Sequence, residues 1–125
     1  MERLSELSEL VKTELRIKYN IQGVEYLEGY IERVKIEIPK KDWNGLINSC
    51  SSYLGECIIE NYGGKWKEEI DGQFSICFNE ENKVFPFAKT SKQFNNGIED
   101  SILSFYKSIP IMFKITQKKK KWWKL

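Results

Sequence analysis

The sequence contains no histidine among its 125 residues. That absence removes histidine-activated serine and cysteine nucleophiles, and with them the usual histidine-ligated catalytic zinc sites. Cysteine is sparse and odd in number: Cys50, Cys57 and Cys77, with no Cys-x-x-Cys spacing. Cys50 and Cys57 fall on one face of a helical pattern, ~10 Å apart along its axis and beyond disulfide reach. All three read as small, buried, core-facing side chains, and neither Cys57 nor Cys77 has an identifiable base. No stretch approaches the ~20 apolar residues of a membrane-crossing helix. The opening Met1-Glu-Arg-Leu-Ser-Glu-Leu is charged where a signal peptide would be apolar. These absences predict a cytoplasmic protein that is not an enzyme and needs no metal or cofactor.

What is present is enough to fold. Hydrophobic residues make up 41% of the chain and aromatics 14%, sufficient for a core at this length. The charge is close to balanced, 20 basic against 18 acidic residues, but unevenly placed. Five lysines lie in the last eight residues, so residues 1–117 carry a net charge of −3. The predicted organisation is one α+β domain over 1–117 and a basic Lys/Trp tail over 118–125.

Leu4, Leu7, Val11 and Leu15 recur at helical spacing, predicting a first helix over 2–19 that ends near Asn20. Gly23 punctuates, and Val24, Leu27, Ile31 and Val34 mark a second helix stopped before Pro39. The longest pattern runs from Trp43 to Tyr62, with Asp42 as its expected N-cap and Gly63-Gly64 as its stop. Gly45 and Gly55 are unfavourable within that helix unless something packs tightly on them.

After Gly64 the period changes to alternation. Three strands are predicted, at Lys65–Ile70, Gln73–Phe78 and Lys83–Phe87, with Asp71-Gly72 as a two-residue hairpin turn. Trp66 points opposite Lys65 and Lys67, into the core against the third helix. Pro86 ends the last strand early or places it at an edge. Lys89–Phe94 reads as a short helix, Asn95-Asn96-Gly97 as a break, and Glu99–Ser108 as the closing helix, with Ile98 among its inward residues. Pro110 interrupts that helix, and 111–116 reads equally as strand or helix. The fold expected is thus two N-terminal helices and a long third helix packed on a three-stranded antiparallel meander, closed by a C-terminal helix.

Several motifs resemble an uncharacterised family of small bacterial cytoplasmic proteins. They are Gly23-Val-Glu-Tyr-Leu-Glu-Gly-Tyr-Ile-Glu-Arg, Tyr53-Leu-Gly-Glu-Cys-Ile-Ile, Tyr62-Gly-Gly-Lys-Trp, Phe85-Pro-Phe-Ala-Lys, Lys92-Gln-Phe-Asn-Asn-Gly and Glu99-Asp-Ser-Ile-Leu-Ser-Phe-Tyr. The resemblance covers roughly residues 20–113. Its style is that of immunity proteins that neutralise secreted toxins, which implies protein binding and carries no catalytic residues across.

Four constellations carry the candidate chemistry. Glu56 and Lys89, if half-buried and paired, would shift each other's protonation and serve acid–base chemistry; a structural ion pair or two unrelated residues is the plainer reading. Gly63-Gly64-Lys65 follows a helix and precedes a strand, the reverse of a phosphate-binding loop, and reads as a helix stop. Glu68, Glu69, Asp71, Glu80 and Glu81 gather around the hairpin turns, an acidic surface suited to a basic toxin. The tail residues Lys118, Lys119, Lys120, Lys121, Trp122, Trp123 and Lys124 are the least bland feature. Docking onto the body or a partner ranks first for them, an anionic membrane second and nucleic acid third. The expected function is therefore immunity-type binding of a bacterial toxin, with an adaptor acting through the tail as the alternative.

Overall fold

The computed structural model describes residues 2–114 of the chain. The tail 118–125, and every reading placed on it, lies outside the described residues. Among those residues the fold is α+β, with five α-helices and one three-stranded antiparallel sheet.

Helix α1 spans Glu2–Leu15, shorter than its hydrophobic pattern suggests. The chain turns out at Arg16, whose φ of 56° is left-handed. Arg16 N–H donates to the Thr13 carbonyl at 3.3 Å and Ile17 N–H to that of Lys12 at 3.0 Å. Those two bonds satisfy the orphan carbonyls of the last turn, so the helix stops without the glycine that usually marks such an end.

Helix α2, Ile21–Glu37, is capped by Asn20, whose side chain accepts from Gly23 N–H at 2.8 Å. Gly23 therefore lies inside the helix instead of before it. A Cβ there would meet the Tyr53 hydroxyl at 2.0 Å and the Lys18 carbonyl at 2.2 Å. Glycine is required because Tyr53 Oη donates to that same carbonyl at 2.5 Å, across the helix backbone.

The long helix α3 runs Trp43–Tyr62, as its period predicts. Asp42 does not cap it: Lys40–Asp42 form a 3-10 turn, and the Asp42 side chain makes no capping bond. Gly63 and Gly64, at φ of 90° and 95°, end it. Cys50, Tyr53, Leu54, Cys57 and Ile58 are fully buried, so α3 is the axis of the core. Gly45 has open space where a Cβ would be, whereas Gly55 lies directly under the Trp66 ring.

Strands β1, Lys65–Glu68, β2, Phe74–Cys77, and β3, Lys83–Val84, lie in the order β1-β2-β3. Trp66 pairs with Ile76 and Ile76 with Val84, placing these apolar side chains on the helix-facing side. The first turn is wider than two residues. Glu69 N–H bonds the Gln73 carbonyl, leaving Ile70, Asp71 and Gly72 as the loop, with Gly72 at φ 87°. A three-residue hairpin with glycine in the left-handed position is the next favoured solution.

The stretch expected as a strand through Phe87 leaves the sheet after Val84. Pro86 instead opens helix α4, Pro86–Asn96, where its fixed φ and missing N–H suit the first turn. A 3-10 turn at Gly97–Asp100 follows, then α5 at Ile102–Met112. Ser101 caps α5 by accepting from Ser104 N–H at 3.0 Å. The closing helix thus starts later than predicted, contains Pro110 near its end, and leaves Ile98 exposed outside it.

Buried Gln93 joins α2, α4 and α5. Its amide nitrogen donates to Glu32 at 3.0 Å, and its oxygen accepts from Ile102 N–H at 2.9 Å. No helix among the described residues is long and apolar enough to cross a membrane.

Candidate functional site

Glu56 and Lys89, weighed from the sequence as a possible pair, are not joined by any ion pair among the described residues. Glu56 accepts from the Trp66 indole N–H at 2.6 Å, fixing β1 against α3. Lys89 lies on α4 with its ammonium 5.5 Å from the centre of the Phe105 ring. Each residue has a role, but not a shared one, because the hairpin carries Trp66 over Gly55 and occupies the carboxylate first.

The cysteines divide as well. Burial pushes the Cys50 thiol up to about 12 and the Cys57 thiol up to about 11, leaving little thiolate near neutral pH. Cys77 was expected to be buried with them; it is only half-buried, on the outer side of β2.

The five acidic residues do not form one patch. The loop at Ile70–Gly72 and the turn at Asn79–Asn82 cap opposite ends of β2, roughly 17 Å apart at strand rise. Glu69 is already engaged, accepting from Ser75 Oγ at 2.6 Å and from Lys83 Nζ at 3.0 Å. The Ser75 hydrogen bond, with that from Lys83, holds its carboxyl below the usual glutamate value. Asp71 folds back on its own loop, accepting from the Gln73 backbone and side chain at 3.0 and 2.9 Å. Glu68, Glu80 and Glu81 are exposed.

What the fold does assemble is a groove of about 730 Å³ behind the first hairpin. The hairpin loop and Lys83 form one wall, and Lys89 and Lys92 of α4 the other. Val84, Phe85, Ala88, Phe105 and Phe113 make an apolar floor. Met112, 58% exposed, and Ile70, wholly exposed at the loop tip, complete the rim. A second hollow of about 270 Å³ continues past Lys89 and Phe105 toward Glu99 and Asp100.

The groove exists because three unrelated stretches converge. Pro86 turns the chain from β3 into α4, Ser101 starts α5 beneath it, and the three-residue loop lifts Ile70 clear of the sheet. Part of its signal is legible in the sequence: Lys89 and Lys92 stand at helical spacing within the short helix expected there, but Pro86, expected to end a strand, instead opens that helix.

Among the described residues the groove offers apolar area, two ammonium groups without a carboxylate partner, and a Glu69 and an Asp71 already committed to other partners. Comparison with protein-family models, with curated proteins and with solved structures finds no match to this chain.

Proposed function

We propose that this chain acts by binding another protein, and that the partner is a bacterial toxin which it neutralises by direct contact. The observation that carries the reading is Ile70, a large β-branched side chain standing fully exposed at a hairpin tip. Turn tips favour small polar residues, and an isoleucine there contributes nothing to the core. Covered by a partner, the same side chain would stabilise a complex by about 2 kcal/mol.

Its surroundings support the same reading. Met112 and the apolar groove floor extend the tip into a continuous surface, the composition of an interface centre ringed by charge. The net charge of −3 over residues 1–117, with Glu68, Glu80 and Glu81 exposed, favours a basic partner at long range. The motifs resemble an uncharacterised family of small bacterial proteins whose style is that of immunity proteins, and this analogy supports a toxin as the class of partner.

The test is co-expression of the chain with the proteins encoded beside it, scored by rescue of growth and by co-elution. Rescue together with a complex that Ile70→Asp weakens at least tenfold is the expected result. Failure of every neighbouring protein to bind or be neutralised refutes the toxin reading. Deleting 118–125 should leave rescue intact; loss of rescue would move the function to the tail.

A further inference from the structure

We propose that the groove behind the hairpin seats a partner segment carrying a carboxylate among apolar side chains, held by Lys89 and Lys92. The inference rests on the protein-binding reading and specifies the chemistry of what is bound.

The lysines of the groove are not equivalent. Lys83 is neutralised by Glu69 at 3.0 Å. Lys89 and Lys92, one turn apart on the same face of α4, have no carboxylate within 4.0 Å among the described residues. Lys89 is half-buried and held over the Phe105 ring, which is itself only 9% exposed. An ammonium over an aromatic floor has shed part of its water, so a carboxylate reaching it meets less screening than at an open surface. The floor around it is apolar, so the group that brings the carboxylate also brings hydrophobic side chains.

The ends of the groove restrict the class of ligand further. Glu69 and Asp71 stand at the hairpin end, and Glu99 and Asp100 beyond the far end. With Glu69 already paired to Lys83, the carboxylates of Asp71, Glu99 and Asp100 flank Lys89 and Lys92 and disfavour a continuous polyanion such as a nucleic-acid backbone. A single carboxylate, with neutral or basic residues on either side, meets opposite charge along the whole groove. Peptide chemistry supplies that pattern, and the outward reach of Ile70 extends the contact to a surface larger than the groove.

The experiment pans a random-peptide display library against the full-length chain and against K89Q/K92Q, both verified to melt alike. Retained peptides should be enriched in Asp or Glu flanked by aliphatic or aromatic residues. Their affinity should fall at least ~tenfold on the double variant, the loss of a charge-assisted contact. Peptides without acidic enrichment, or binding unaffected by the double variant, would overturn the proposal. So would capture that appears only after residues 118–125 are removed, since this would make the tail the occupant. Tight binding of a single-stranded oligonucleotide abolished by K89Q/K92Q would likewise overturn it. A toxin complex broken by Ile70→Asp but indifferent to K89Q/K92Q would sink this inference and leave the protein-binding reading standing. Acidic peptides captured by a chain that binds no neighbouring toxin would leave this inference standing and refute the toxin reading.

Discussion

The end of the molecule around Tyr53 and the end around Ile70 treat similar side chains in opposite ways. At the first, Tyr53 spans the α2 backbone to the Lys18 carbonyl, Asn61 reaches the Tyr19 carbonyl at 3.0 Å, and Gly23 leaves no room for a methyl group. At the second, an isoleucine has no apolar cover, and Lys89 and Lys92 of the groove have no carboxylate within 4.0 Å among the described residues. Folding accounts for these features of the closed end, and for the buried floor of the open one, but not for the exposed Ile70 or for Lys89 and Lys92. Residues that stability does not explain are where binding is to be sought.

Substitutions should separate the two ends by size of effect. Gly23→Ala should cost the most, about 3 kcal/mol, because its Cβ collides with a backbone carbonyl and the Tyr53 hydroxyl together. Urea denaturation measures it; a loss of only about 0.5 kcal/mol, the size of an ordinary surface change, would erase the contrast. Glu56→Ala comes next, at about 2 kcal/mol, since it strands the Trp66 indole N–H. A thermal melt with unchanged stability would show that the β1–α3 contact is not held by that bond.

Glu69→Gln probes the boundary between the ends through pH. The folded-state carboxyl is held low, chiefly by Ser75 and then by Lys83, so the wild-type advantage is complete above the ordinary glutamate range. It should disappear as the pH falls through the lowered value. A stability difference that grows in acid would have the wrong sign. Smallest of all should be the effect of Ile70→Asp on folding, within about 0.5 kcal/mol of zero, because the side chain touches no core residue.

The closed end was largely legible in the sequence. Trp43–Tyr62 repeats its apolar residues at helical spacing and ends on two glycines, so the period and the stop agree. Trp66 faced the core because strand alternation leaves it no other side, and Gly55 announced a close contact that the ring supplies. Boundaries set by hydrogen bonding were harder. Arg16 ends α1 in a conformation that glycine usually signals, and Asp42 looked like a cap but sits in a 3-10 turn.

The open end was misread for a different reason. Phe85-Pro-Phe alternates as a strand would, yet proline equally suits a helix start, and tertiary packing chose the helix. The acidic residues seemed clustered because they are near in sequence, whereas an antiparallel meander sends successive turns to opposite ends. The groove depends on where α5 meets α4, a contact between segments that no local pattern specifies.

The central claim, that the hairpin tip and its groove are a protein-binding surface, is tested most directly by titration calorimetry. The protein encoded beside this chain would be titrated into the wild type and into Ile70→Asp, with the melting temperature of each recorded. The account predicts a wild-type complex and at least a tenfold weaker one for Ile70→Asp at an unchanged melting temperature. Equal affinity for the two would contradict it.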